Sequence, residues 1–286
     1  MSHWAAGTPV APGLSGASST APDAAHAALD APTPVLKVAG ISKRFGGLQA
    51  LSDVGMTVLP GQIYGLIGPN GAGKTTFFNV ITGLYAADSG SFELAGKTYR
   101  PKAVHEIARA GIARTFQNIR LFADMSVLEN VMVGRHVRTH SGLLGAIFCT
   151  KAFKLEETAI RQRAHELLAY VGIEKHADAK ARNLSYGDQR RLEIARALAT
   201  EPKLLALDEP AAGMNATEKT QLRELIDRIR CDGRAVLLIE HDVKLVMGLC
   251  DAVTVLDYGK PIAEGAPAEV QRNPQVITAY LGTDAA

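Results

Sequence analysis

Two periodicities run along the chain. Val35-Leu36-Lys37-Val38-Ala39-Gly40-Ile41 and Gly55-Met56-Thr57-Val58-Leu59 read as strands. Ile63-Tyr64-Gly65-Leu66-Ile67 is an apolar run that leads into glycines, and Phe77-Phe78-Asn79-Val80-Ile81 lies in a helix expected at 76–83. Gly90-Ser91-Phe92-Glu93-Leu94-Ala95-Gly96 is a further strand, ended by glycine. From about residue 126 to 180 the spacing turns helical. Ser126 followed by Glu129 has the form of a capping box, and Glu156 to Val171 carries apolar residues at helical intervals. Lys203-Leu204-Leu205-Ala206-Leu207 and Ala235-Val236-Leu237-Leu238-Ile239 are unbroken apolar runs, as expected of parallel strands buried on both faces. Helices at 189–200 and 215–232 would cover them. The pattern predicts an α/β core with a helical insertion between roughly 118 and 185.

The chemistry starts where the first buried strand ends. Gly68-Pro69-Asn70-Gly71-Ala72-Gly73-Lys74-Thr75-Thr76 has the spacing of a phosphate loop, in the strand–loop–helix setting such a loop needs. Gly68, Gly71 and Gly73 let backbone N–H groups approach an anion, and the helix N-terminus adds partial positive charge there. Lys74 can reach the β- and γ-phosphates, and the Thr75 hydroxyl can ligate Mg²⁺. A chance match at the average glycine usage of about 7% is roughly a one-in-a-hundred event in a chain this long. The expected ligand is a nucleoside triphosphate.

Leu207-Asp208-Glu209-Pro210 closes another buried strand with two adjacent acids. Successive strand residues point opposite ways, so the two are expected to divide their work. Asp208 suits Mg²⁺ near Thr75, and Glu209 is free to polarise a water aimed at the γ-phosphate. Leu184-Ser185-Tyr186-Gly187-Asp188-Gln189 opens the helix expected at 189–200. Ser185 is a good N-cap, and Gly187 would let an anion approach the first-turn N–H groups. A second anion-ready helix end makes sense if it meets the nucleotide of another subunit.

Composition narrows the classes. The 286 residues are 47% hydrophobic and 21% charged, ordinary for a globular protein. A net charge of +2 gives no electrostatic case for nucleic acid, and none is expected as a partner. Cys149, Cys231 and Cys250 are far apart and form no C-x-x-C pair, so buried reduced thiols are expected in place of disulfides or zinc. No apolar run of about 18 residues is present to span a bilayer, and Ser141–Cys149 has half that length. Residues 1–33, rich in Ala, Pro, Ser, Gly and Thr and without Lys or Arg, are expected to be a disordered tail.

Gly68–Thr76, Gln117, Leu184–Gln189, Leu207–Pro210 and His241 stand in the order of the motifs of the nucleotide-binding domain of ABC transporters. The chain resembles that family over about residues 35–282, and five motifs in order and spacing make the resemblance specific. Within it, Phe45–Leu51, Arg114-Thr115-Phe116-Gln117-Asn118, Pro210–Asn215 and Ala279–Gly282 resemble the ATP-binding subunit of branched-chain amino-acid importers, in its longer type. Gly134–Leu155 is similar to that type's additional segment. The resemblance implies an α/β fold: a P-loop NTPase core, with an antiparallel β subdomain and a helical subdomain. The domain would fill 34–282, with a tail at 283–286.

Roles follow from the resemblance by position. Phe45 would stack on adenine, and Gln117 would sense Mg²⁺ and the attacking water. His241 would contact the γ-phosphate. Ser185, Tyr186, Gly187, Asp188 and Gln189 would complete the ATP site of the opposing subunit. Tyr186 and Asp188 depart from the family's Leu-Ser-Gly-Gly-Gln form, while Ser185 and Gly187 keep it. The implied assembly pairs two ATP-binding subunits, alike or different, with two membrane permeases and, indirectly, a periplasmic substrate-binding protein. It places the chain on the cytoplasmic face of the inner membrane. A soluble ABC ATPase acting on nucleic acid or ribosomes, an importer of amides and a P-loop kinase remain as alternatives.

Overall fold

The computed structural model describes residues 32–100, 103–139 and 150–281. Most of the expected N-terminal tail, Cys149 and the tail at 283–286 lie outside these residues. A four-stranded antiparallel sheet, in order β2-β1-β4-β5, consists of β1 (Leu36–Phe45), β2 (Leu48–Val58), β4 (Ser89–Leu94) and β5 (Lys97–Thr98). A six-stranded sheet, in order β10-β9-β3-β8-β7-β6, consists of β3 (Ile63–Ile67), β6 (Ile112–Arg114), β7 (Leu204–Asp208), β8 (Ala235–Ile239), β9 (Ala252–Asp257) and β10 (Lys260–Gly265). Its ladders are parallel except β9–β10.

The central strands show why their sequences are unbroken apolar runs. In β3, Ile63 and Ile67 enter one core with Leu205, Leu207, Val236 and Leu238. Tyr64 and Leu66 enter the opposite core with Leu204, Ala206, Leu237 and Ile239. Successive side chains alternate across the pleat, and both faces are covered. On the second face lie the small sheet and helix α1 (Lys74–Ile81), through Leu36, Val54, Phe77 and Phe78. On the first lie α3 (Val127–Arg135), α4 (Lys151–Tyr170), α5 (Tyr186–Leu198), α6 (Ala216–Cys231) and α7 (Val243–Leu249). Short helices α2 (Val104–Ala110), α8 (Pro267–Val270) and α9 (Pro274–Leu281) complete the described α-helices.

Several boundaries differ from expectation. β2 starts at Leu48, well before Gly55, and forms a hairpin with β1 in which Phe45 pairs with Leu48. Register shifts between Val38 and Arg44 break the two-residue alternation that would have marked the longer ladder. α5 begins at Tyr186, three residues before the expected start, because the Ser185 side chain accepts from Asp188 N. The Ser126–Glu129 capping box forms as expected. Cys250 is buried, which pushes its thiol up to about 12, but Cys231 is exposed at the C-terminal end of α6. Among the described residues no helix is long and apolar enough to cross a membrane.

Candidate active site

Parallel pairing brings the chemistry-bearing segments to one edge of the large sheet. Leu66 of β3 pairs with Ile239 of β8, and Ile239 pairs with Asp208 of β7. Arg114 of β6 pairs with Ala206. The segments after these strand ends are Gly68–Gly73, Glu240-His241, Glu209 and Thr115–Gln117. They emerge side by side, where open α/β sheets bind ligands.

Gly68 has φ 149°, and a Cβ there would collide with the carbonyl oxygen of Leu256. Only glycine lets the loop pass this close to β9. Gly73 caps α1 with no side-chain bond, whereas Ser126, Thr150, Ser185, Asn215 and Asp242 cap α3, α4, α5, α6 and α7 with theirs. The first turn of α1 therefore has no side-chain competitor for an anion. Lys74 is buried and curls over the loop, where Nζ donates to Gly68 O at 2.6 Å and Pro69 O at 2.9 Å. Burial lowers its pKa, while Glu209 and Asp208 pull it back up. A cleft of about 420 Å³ runs from Phe45 past Asn70–Thr76 to Gln117 and Glu209. Phe45 is 42% exposed there, with its ring edge-on to Tyr85 at 5.2 Å between centroids.

Glu209 lies just beyond β7 with φ 44°. The pleat argument therefore does not account for its separation from Asp208; the left-handed backbone turn does. Gln117 Nε2 donates to Glu209 Oε2 at 2.9 Å, and His241 Nδ1 lies 3.5 Å from the same oxygen. Asp208 is buried, which raises its carboxyl pKa against the opposing charge of Arg114, whose Nη2 is 3.4 Å from Oδ2. Among the described residues no three His, Cys, Asp or Glu cluster as a metal cage. Asp208 and the exposed Thr75 hydroxyl are hard oxygen donors, and Mg²⁺ is ordinarily held by one or two carboxylates plus substrate phosphates. That donor set fits Mg²⁺.

The Leu184–Gln189 segment is locally organised. Ser185 Oγ donates to Asp188 Oδ2 at 3.0 Å, and Gln189 Nε2 donates to Leu184 O at 3.1 Å. Tyr186 is exposed. Gly187 is buried, and a Cβ there would stand 2.7 Å from Glu218 Oε1 of α6. A larger residue at 187 would therefore have to displace the Glu218 side chain, which caps α6, a coupling the sequence pattern did not suggest.

Three residues escaped the sequence reading as individuals. Arg114 donates through Nη1 to Asn79 Oδ1 of α1 at 2.8 Å and to Oγ1 of Thr82, the residue that caps the C-terminus of α1, at 2.9 Å. Its guanidinium also lies 4.5 Å from the ring centroids of Phe78 and Phe116. Arg190 pairs with Glu193 at 2.7 Å, and its Nη1 and Nη2 grip Phe116 O and Gln117 O at 2.6 and 2.8 Å. Glu240, fully buried and shifted up by burial, accepts from Ala211 N at 2.9 Å and His241 N at 3.2 Å. The only advance signal for any of them was Arg114's place in Arg114-Thr115-Phe116-Gln117.

Comparison with known proteins agrees with this geometry. Residues 51–212 match the ABC transporter family model, and residues 260–286 match the model of the branched-chain amino acid ATP-binding cassette transporter. The high-affinity branched-chain amino acid transport ATP-binding protein LivG of Escherichia coli K12 is 46% identical over 250 residues, 87% of this chain and 98% of LivG. BraF of Pseudomonas aeruginosa, which carries the same description, is 45% identical over the same shares. The ADP conformation of MJ1267, an ATP-binding cassette of an ABC transporter, superposes with a TM-score of 0.76 at 34% identity, over 87% of this chain and 99% of that one. With a phosphate loop, two strand-end acids and a helix-capping Ser185 on one frame, the chain belongs to the ABC transporter family as a nucleotide-binding, ATP-hydrolysing subunit.

Proposed function

We propose that this chain is the ATPase that powers import of branched-chain amino acids, acting with a second ATP-binding subunit on two membrane permeases. The match of residues 260–286 to the branched-chain amino acid cassette model carries this reading, because that segment lies outside the general ABC match. The names of LivG and BraF support the same substrate class. The chain would sit at the cytoplasmic face of the inner membrane, held there by the permeases. An apolar groove of about 480 Å³ beside the Gln117 segment, walled by Val104, Ile107, Phe116 and Phe122, is the surface offered to them.

In this mechanism Phe45 takes the adenine, and Gly68–Gly73 with Lys74 takes the phosphates. Thr75, Asp208 and the Gln117 amide would hold Mg²⁺. When bound, that ion neutralises charge developing on the β- and γ-oxygens. Glu209 Oε2, already held by Gln117 and facing His241, accepts the proton of the attacking water. Ser185, at the N-terminus of α5, would close on the γ-phosphate of the partner's nucleotide.

A shared site makes turnover depend on association. Specific activity should rise with protein concentration and collapse in Ser185→Arg. Mixing Ser185→Arg with Lys74→Ala should restore part of it, since one composite site is then intact on both sides. Concentration-independent turnover would reject the shared site. For the substrate, a strain lacking this chain should lose uptake of radiolabelled leucine, isoleucine and valine. Return of the intact chain, but not the Lys74→Ala chain, should restore that uptake. Unchanged uptake of all three would reject the substrate assignment.

A further inference from the structure

Among the described residues, Asp53, Ala95, Glu201, Glu209 and Tyr258 are the non-glycine positions with positive φ. Two of them, Glu209 and Tyr258, line the same cleft. Strained backbone of this kind persists where the surroundings enforce it, and it gathers at binding sites. Glu209 is accounted for by its place beside Gln117 and His241, but Tyr258 is used by nothing described above.

Tyr258 and Gly259 are the central residues of the two-residue turn joining β9 to β10, with Asp257 paired to Lys260 and φ values of 43° and 77°. Such a turn favours Asn, Asp or Gly at its first central position, and an aromatic residue there is strained. The Tyr258 side chain is also 86% exposed, so burial offers no return for that strain.

The turn itself is firmly held. Gly259 N donates to Ala72 O of the phosphate loop at 3.0 Å, and Ser52 N donates to Gly259 O at 2.8 Å. A Cβ on Gly259 would lie 2.5 Å from Ala50 O, so the turn is wedged against the start of β2. Leu48, Gln49 and Ala50 of that strand line the cleft together with Phe45 and Tyr258. A rigid base thus presents a free aromatic ring on the side of the cleft where Phe45 stands.

We propose that Tyr258 is a second aromatic contact for the nucleoside, packing its ring against the bound nucleotide beside Phe45. This rests on the nucleotide reading of the cleft. The contact is made through the ring face and asks nothing of the hydroxyl. The strain is then offset only when nucleotide is present, and the free chain carries it uncompensated.

The test sets stability against affinity. Tyr258→Asn places a turn-favoured residue at the strained position, so the melting temperature of the nucleotide-free protein should stay level or rise. Its Kd for ADP, measured by calorimetry, should weaken about tenfold, within the range of aromatic–base stacking. Its Kd for inorganic tripolyphosphate, which lacks a nucleoside, should not change. Tyr258→Phe should bind ADP within about twofold of the parent. A Tyr258→Asn protein that binds ADP as tightly as the parent overturns the proposal, including the case where only dimer formation suffers. Equal losses for ADP and tripolyphosphate, or a melting temperature lowered by several degrees, would assign Tyr258 to shaping the loop and overturn it too. A parent protein that binds no ADP would instead reject the nucleotide reading of the cleft.

Discussion

Glu209→Gln should lower ATP turnover by about 10²–10⁴-fold, the usual contribution of a general base. That range corresponds to roughly 3–5 kcal/mol of barrier at 1.36 kcal/mol per decade. The amide keeps the shape of the side chain but cannot accept the proton of the attacking water. Gly68–Gly73, Lys74 and Phe45 are untouched, so the variant should bind ATP at least as tightly as the parent. One negative charge is lost beside Lys74, whose ammonium feels Glu209. The variant should therefore accumulate as an ATP-bound dimer on size exclusion. Asp208→Asn should instead weaken Mg²⁺-dependent nucleotide binding and leave Arg114 short of its counter-charge. A Glu209→Gln protein with more than about a tenth of parental turnover would reject Glu209 as the base.

The second large effect is on stability. Arg190 and Glu193 are buried at 0% and 1% exposure and bonded to each other at 2.7 Å. Together they hold Phe116 O, Gln117 O, Phe116 N and Arg120 N. Arg190→Leu leaves the Glu193 carboxylate buried without its partner, a change that costs about 3–5 kcal/mol. For a chain of this size the melting temperature should fall on the order of 10 °C. The double variant Arg190→Leu/Glu193→Leu removes both charges and should regain part of that stability, because the desolvation cost of the pair goes with them while the backbone groups of Phe116, Gln117 and Arg120 lose their partners. Turnover should stay low in the double variant, since nothing then fixes the backbone of Gln117 against Glu209. Recovery of turnover together with stability would show that the pair only fills the core. Differential scanning calorimetry and phosphate release on the same samples decide between the two.

Where the cause is local, the sequence reading and the structure agree closely. β3 and β8 have the bounds of their apolar runs, Ile63–Ile67 and Ala235–Ile239, because every residue in them is buried and none breaks the run. The Ser126 and Ser185 caps form because a hydroxyl at an N-cap needs only the backbone three residues ahead. The strand–loop–helix setting of Gly68–Thr76 is the strongest case, since the apolar run, the glycines and the helix start lie within one short segment between β3 and α1. Elements that depend on distant partners were harder to see. The three-residue β6 exists through its ladder with β7, whose residues lie some ninety positions further along. The β9–β10 hairpin has Tyr258 where a turn signal would place Asn, Asp or Gly.

By itself, then, the sequence determined the class of site: a glycine loop before a helix, two acids at a strand end, and a serine capping a second helix. These are short-range patterns, and each carries its chemistry in neighbouring residues. The tertiary structure decided which groups act on one another. Gln117, Glu209 and His241 meet because β6, β7 and β8 are parallel and end at one edge of the sheet. The left-handed backbone at Glu209, the Arg114–Asp208 pair, the grip of Arg190 on the Gln117 backbone and the Glu218 carboxylate behind Gly187 all come from elements far apart in the chain. Their cause is strand register and helix packing. Composition and periodicity do not record these, because the same local pattern is compatible with many long-range pairings.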